Sequence, residues 1–104
     1  MIYLSTSCIQ EKNIINILEL FKKNGIKNIE LSGGTEKFPD FNNVLEDFIN
    51  SNNLNVRLHN YFPPPDYDFV VNIASDDKEI FLQSINHCKN AINLSKKLKA
   101  NKYA

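Results

Sequence analysis

The residue pattern predicts an α/β architecture with parallel strands. The expected architecture is part of a (β/α)8 barrel, with the first three strand–helix units and the start of a fourth strand. Three observations lead there. Strand-like segments begin near Ile2, Asn28 and Asn55, 26 and 27 residues apart, which is the size of a minimal strand–helix unit. Helical periodicity fills the intervals. Each strand also alternates: Ile2 and Leu4, Ile29 and Leu31, and Val56 and Leu58 share apolar sides, while Tyr3, Ser5 and Ser7, Glu30 and Ser32, and Arg57 and His59 lie opposite. A doubly wound sheet has helices on both faces and needs strands that are apolar throughout. One apolar and one polar face fits a barrel wall with a wet mouth better.

Ile2-Tyr3-Leu4-Ser5-Thr6-Ser7 reads as the first strand. Glu11 to Asn24 reads as the first helix, with Ile14, Ile15, Leu18 and Phe21 on one stripe. Lys22 and Lys23 suit the negative end of its dipole, and Gly25 supplies a left-handed stop. Lys27 to Ser32 is the second strand, ended by Gly33-Gly34. Pro39 and Asp40 open a second helix over Asn42 to Asn52, with Val44, Leu45, Phe48 and Ile49 inward and Asn52-Asn53 as the breaker. Asn55 to Asn60 is the third strand. Pro63-Pro64-Pro65 fixes φ and removes three donors, so no regular element crosses it.

Phe69-Val70-Val71-Asn72-Ile73-Ala74 reads as a short extra extended segment. Ser75 or Asp76 is expected to cap a third helix from Asp77 to about Lys99; with Asp76 as the cap, Glu79 completes a capping-box-like pair. Phe81, Ile85, Cys88, Ile92 and Leu98 lie on or near its inner face, and Lys102-Tyr103-Ala104 would start a fourth strand. A complete barrel of this kind needs roughly 250 residues. Residues 1–104 are therefore expected to be the N-terminal part of one barrel, an incomplete domain from a truncated or split gene or an excised segment. Two sheet edges are then left for a partner chain or for self-association.

Composition narrows the function. Lys+Arg and Asp+Glu both number 12, and Arg57 is the single arginine, so no cationic footprint for nucleic acid or an anionic membrane is present. No apolar run is long enough to cross a bilayer, and the start lacks the basic and apolar regions of a signal peptide. Cys8 and Cys88 lack metal or redox spacing and suggest a reducing cytoplasm. Cys88 reads as a small core residue; Cys8, after a strand end, either faces a site or solvent.

His59, at the end of the third strand, is the first candidate for chemistry, as a metal ligand, a substrate hydrogen-bonding group or a proton carrier; a hydrogen-bonded neutral ring is the plain alternative. Glu30 shares its face and either orients substrate or pairs with Arg57. Tyr61 and Phe62 either stack on a sugar, form a lid or pack into the core. Ser5, Ser7, Asn60 and Asn72 are candidate wall groups, and His87 is read as surface or second-row. Gly33-Gly34 is read as a tight exit turn, because neither a dinucleotide fingerprint nor a P-loop is present. A metal site needs roughly three or more protein ligands, and the sequence offers no third.

Leu58-His59-Asn60-Tyr61-Phe62-Pro63-Pro64-Pro65, then Phe69 to Ser75, then Asn86-His87-Cys88-Lys89-Asn90-Ala91-Ile92, resemble the xylose-isomerase-like TIM-barrel superfamily. Within it the chain looks closest to bacterial sugar phosphate isomerase/epimerase proteins, whose second strand is similar to Ile29-Glu30-Leu31-Ser32-Gly33-Gly34. The resemblance covers essentially the whole chain, aligned to the N-terminal part of that barrel. It implies isomerisation or epimerisation of a small sugar or sugar phosphate by proton transfer next to a carbonyl, beside a divalent metal (manganese, magnesium, zinc or cobalt). His59 matches the histidine that contacts substrate in epimerases, so His59, Glu30, Asn60, Ser7 and Tyr61 are the expected substrate-binding residues, with His59 also a candidate metal ligand. The family's metal carboxylates and glutamate bases generally come from later strands. These residues are therefore expected to be inactive and metal-free alone. In related apurinic-site endonucleases the matching histidine binds zinc, a second enzymatic reading that the neutral charge disfavours. A non-enzymatic remnant, or a half-barrel needing a partner chain, is the third.

Overall fold

The computed structural model describes residues 2–66 and 69–103. Three short strands, β1 (Leu4–Ser5), β2 (Asn28–Leu31) and β3 (Asn55–Leu58), alternate with three helices, α1 (Ile14–Lys23), α2 (Phe41–Ser51) and α3 (Lys78–Lys97). The strands pair in the order β1-β2-β3, all parallel, with Leu4 opposite Ile29, Ile29 opposite Val56 and Leu31 opposite Leu58. Parallel neighbours joined by helices are what the spacing predicts. The sheet is open. A closed barrel of this kind takes about eight strands, and the described residues supply three plus one further bridge.

That bridge marks the expected fourth strand. Tyr103 lies parallel to Leu58, and the Leu58 N–H donates to the Lys102 carbonyl at 3.2 Å. Ala104, included in the expectation, lies outside the described residues.

One face of the sheet carries the core. Ile29, Leu31, Val56 and Leu58 pack with Ile14, Ile17, Leu18 and Phe21 of α1, Phe41, Leu45 and Ile49 of α2, and Leu94 and Leu98 of α3 in a single buried cluster. The other face carries a polar ladder. Arg57 donates to Glu30 Oε2 from Nε at 2.9 Å and approaches it with Nη2 at 2.8 Å, while its guanidinium lies 4.6 Å from the Tyr3 ring centre. The Asn55 amide donates to the Tyr3 hydroxyl at 3.0 Å.

All three helices end in the same way. At α1, Ile26 N–H reaches Phe21 O and Gly25 N–H reaches Lys22 O, with Gly25 at φ 73. At α2, Leu54 reaches Ile49 and Asn53 reaches Asn50, with Asn53 at φ 51. At α3, Ala100 reaches Ser95 and Lys99 reaches Lys96, with Lys99 at φ 57. These are Schellman stops, in which a left-handed residue lets two N–H groups satisfy the last carbonyls. In the first two, the next residue, Ile26 or Leu54, packs on the core and the following strand starts within two residues.

Several local expectations need correction. The first strand stops at Ser5, and Thr6–Cys8 form a 3₁₀ turn, because the Thr6 hydroxyl accepts the Ser32 N–H at 2.9 Å in place of a backbone carbonyl. The first helix begins at Ile14 rather than Glu11, capped by the Asn13 side chain, which accepts from Ile15 N at 2.9 Å. The Phe69 to Ala74 segment forms no strand. The Asn72 side chain accepts from Ala74 N at 3.0 Å in a local turn, and Val70 and Ile73 are exposed. Asp77 caps α3, accepting from Glu79 and Ile80, rather than Ser75 or Asp76.

The inner face of α3 also differs. Ser84, His87, Ala91, Leu94 and Ser95 are buried, whereas Phe81, Leu82 and Ile92 are exposed and Cys88 is half-buried. Two rows of apolar or small residues run along this helix, and the one with smaller side chains takes the closer seat against the sheet.

Candidate functional site

The connections leaving the C-terminal ends of the three parallel strands lie along one edge of the sheet, where ligands of α/β proteins commonly bind. Each connection is clamped to the next. Glu36 N–H donates to the Lys12 carbonyl at 2.8 Å, and the Lys12 ammonium meets Glu36 at 2.9 Å, joining the first to the second. That carboxylate raises the Lys12 pKa above the usual lysine value. Lys37 meets Asp66 at 3.0 Å, joining the second to the third. A Cβ on Gly33 would sit 3.3 Å from Tyr61 Cβ, so the absent side chain leaves the third connection room to cross the second.

His59 stands one residue beyond β3 and extends its ladder, donating from N–H to the Leu31 carbonyl at 2.8 Å. Alternation puts it on the side of Arg57. Its ring is 6.4 Å from that of Tyr61 at an angle of 21°. Nδ1 is buried and has no hydrogen-bond partner among the described residues, and the same holds for Asn60 Oδ1. Phe62 N–H closes a turn onto the His59 carbonyl at 2.9 Å. Phe62 itself is fully buried against Phe41, ring centres 5.8 Å apart. Of the aromatic pair, Phe62 is therefore core, while Tyr61 stays partly open over Gly33.

Glu30 is committed to Arg57 in the middle of the polar face, and its side chain is 19% exposed. Ser7 sits in the 3₁₀ turn with its hydroxyl 2.8 Å from that of Ser5. It shares a cleft of about 690 Å³ with Gln10, Glu11, Lys12, Gly33 and Gly34. Glu11 holds its carboxylate on the Asn13 N–H and the Asn16 amide, which lower its pKa below the ordinary carboxylate value. Cys8 is exposed in the same turn.

The structure thus pairs His59 with Tyr61 and Ser7 with the glycine pair, and places Glu30 in a separate ion pair. Among the described residues no three His, Cys, Asp or Glu side chains gather as a metal cage. The donor set around His59 does not fit a divalent cation, because Glu30 is held by Arg57 and no third ligand accompanies them among the described residues.

His87 was read from the sequence as surface or second-row; it is 5% exposed and its Nε2 lies 2.6 Å from the Asn60 carbonyl. A carbonyl only accepts, so Nε2 carries the proton. This bond anchors the His59–Asn60 corner to α3. Its sequence signal was the row His87, Ala91, Leu94 and Leu98, at helical spacing with small residues included. Thr6, also overlooked, is buried and joins the first two strands.

Family models, curated protein sequences and solved structures were each compared with the chain, and none matches it. What fold and site define is a small α/β domain of three parallel strands alternating with helices.

Proposed function

We propose that these residues form one sector of a larger β/α barrel of the sugar (phosphate) isomerase and epimerase type, with His59 at the mouth contacting the sugar. The observation that carries the reading is the buried Nδ1 of His59, without a partner among the described residues, at the C-terminal end of a parallel strand and on the polar face of the sheet. Consecutive strand order and a single helix-covered face support the barrel sector, since both are features of a barrel wall. Asn60, Tyr61 and Ser7 would line the same rim. Glu30, tied to Arg57, would keep the interior neutral. The proton-transfer groups and any metal would come from strands other than these three. A partner chain, or a second copy meeting the open sheet edges, would supply them.

Two measurements test this. The purified chain, with manganese, magnesium, zinc or cobalt, should not exchange the proton beside the carbonyl of any ketose or ketose phosphate in heavy water. Measurable exchange would overturn the incomplete-sector reading. The imidazole C–H resonances of His59 should move when a ketose phosphate is added, and the effect should vanish in His59→Phe. Silence of that ring toward every sugar tried would remove the substrate role.

A further inference from the structure

The outer face of α3 is apolar and uncovered among the described residues. Phe81, Ile85, Cys88 and Ile92 follow one another at steps of four, three and four, so they form a single row along the helix, with Leu82 beside it. The row is separate from the residues that face the sheet, Ser84, His87, Ala91, Leu94 and Ser95. Phe81 is 38% exposed, Leu82 49% and Ile92 44%, so these side chains are not part of the core. Ile85 and Cys88, half-buried, fill the row between them. The Tyr103 hydroxyl lies 3.9 Å from Cys88 Sγ, so the row runs beside the bridge at the edge of the sheet. At its C-terminal end Ile92, Lys96, Ala100, Lys102 and Tyr103 line a notch of about 170 Å³. Small-molecule sites start near roughly 300 Å³, so the notch suits one inserted side chain instead.

Charge says what kind of surface covers it. The chain is neutral as a whole, yet residues 80–104 hold Lys89, Lys96, Lys97, Lys99 and Lys102 and neither aspartate nor glutamate. Lys78, Lys89 and Lys96 are exposed and recur at helical spacing along the margin of the apolar row. Among the described residues their ammonium groups form no ion pair. An apolar row edged by lysines complements an apolar row edged by carboxylates, as when an amphipathic helix lies in a groove. A second copy of α3 does not offer that complement. Centred on the same row, an antiparallel pair sets Lys78 beside Lys96 of the copy, and a parallel pair sets each lysine beside its own mate, so like charges meet. A bilayer fits less well than a helix, because the row sinks into the notch at Tyr103 instead of standing out as a ridge.

We propose that the outer face of α3 docks an amphipathic helix of a partner protein whose apolar side is edged by aspartate and glutamate, with one apolar side chain seated in the notch by Tyr103. This holds whether or not the sheet belongs to a barrel. The test uses the whole chain and two synthetic helices of about 18 residues, roughly 27 Å long, with the same leucine row edged by glutamate in one and by lysine in the other. Fluorescence anisotropy of a dye on each peptide reads binding. The glutamate peptide should bind saturably and at least about 10-fold tighter than the lysine peptide, a difference of roughly 1.4 kcal/mol. Its advantage should shrink as salt is raised. Leu82→Gln/Ile92→Gln changes two exposed side chains and should weaken the glutamate peptide at least about 10-fold. Lys89→Glu/Lys96→Glu should reverse the preference, so that the lysine peptide binds tighter, a result that unspecific apolar adhesion would not give. Circular dichroism checks that both variants keep the fold. Equal affinities, no saturable binding, or an unchanged preference in the charge-inverted variant would overturn the assignment. So would binding to vesicles of phosphatidylserine and phosphatidylcholine without binding to the peptide, or self-association in sedimentation equilibrium that Leu82→Gln/Ile92→Gln abolishes.

Discussion

Replacing Lys99 with glycine should stabilise the protein, although it deletes a charged side chain and adds no contact. Lys99 occupies the left-handed position of the α3 stop at φ 57, where the equivalent residue of α1 is Gly25 at φ 73. An ordinary L-residue held in that conformation costs roughly 1–2 kcal/mol. Glycine avoids this but loses more chain entropy on folding, about 0.5–1 kcal/mol. The difference leaves a gain of about 0.5–1 kcal/mol. Lys99 is exposed and makes no side-chain bond among the described residues, so only the salt-screened attraction of its ammonium for the end of α3 offsets the gain, and the comparison belongs in high salt. For a chain of this size the midpoint of thermal unfolding should rise by roughly 2–6 °C. The reverse change supplies the control. Gly25→Ala meets no atom within 4 Å, so its cost is backbone alone, and it should lose about 1 kcal/mol or more. Asn53→Gly should fall near zero, since asparagine tolerates the left-handed region. Urea unfolding followed by far-ultraviolet circular dichroism measures all three. A Lys99→Gly variant no more stable than the parent, alongside a costly Gly25→Ala, would refute the argument.

Phe62→Ala should cost about 3–5 kcal/mol in the same assay, because the ring is fully buried beside Phe41 and its loss opens a cavity under the His59–Asn60 corner. Glu30→Gln should cost roughly 1–2 kcal/mol, between the values for exposed and buried ion pairs, and the parent should lose part of that advantage in high salt. Glu11 has a folded pKa below its unfolded value, so its stabilising effect is present above the unfolded pKa and is lost as pH falls through the folded one. Glu11→Gln should therefore flatten the acid limb of a stability-against-pH curve. Burial, followed by Cys88, pushes the Tyr103 phenol up to about 12; between pH 10 and 12 the unfolded phenol ionises first, so stability falls as pH rises, and Tyr103→Phe should remove that alkaline loss and the last phenolate absorbance step.

The parallel order of the strands was legible because strand and helix signals recur at nearly constant spacing, and the two-sided strands were legible because alternation is strong in Ile29-Glu30-Leu31 and Val56-Arg57-Leu58. The stops at Gly25 and Asn53 could be read from residue type alone, whereas Lys99 could not, since lysine carries no preference for a left-handed backbone. Helix α3 was misread because hydropathy ranks Phe81 and Ile92 above Ser84 and Ala91, while close approach to the sheet favours the smaller row. At the site, the position of His59 at a strand end was visible. The pairing of Glu30 with Arg57 was an open alternative in the sequence, and only three-dimensional geometry could close it. The bond from His87 to the Asn60 carbonyl spans 27 residues and involves a main-chain atom, which leaves no trace in side-chain pattern.

The Thr6 hydroxyl that takes over from a carbonyl at the top of the first strand has a wider consequence. The sheet is sealed there by a side chain, so the ladder between the first two strands ends at Thr6, and further along this connection the Lys12 carbonyl takes up the contact with the second by accepting the Glu36 N–H. Residues can be inserted or removed between that threonine and Lys12 without unzipping the strands, and this part of the rim can change its length while the layer beneath stays as it is.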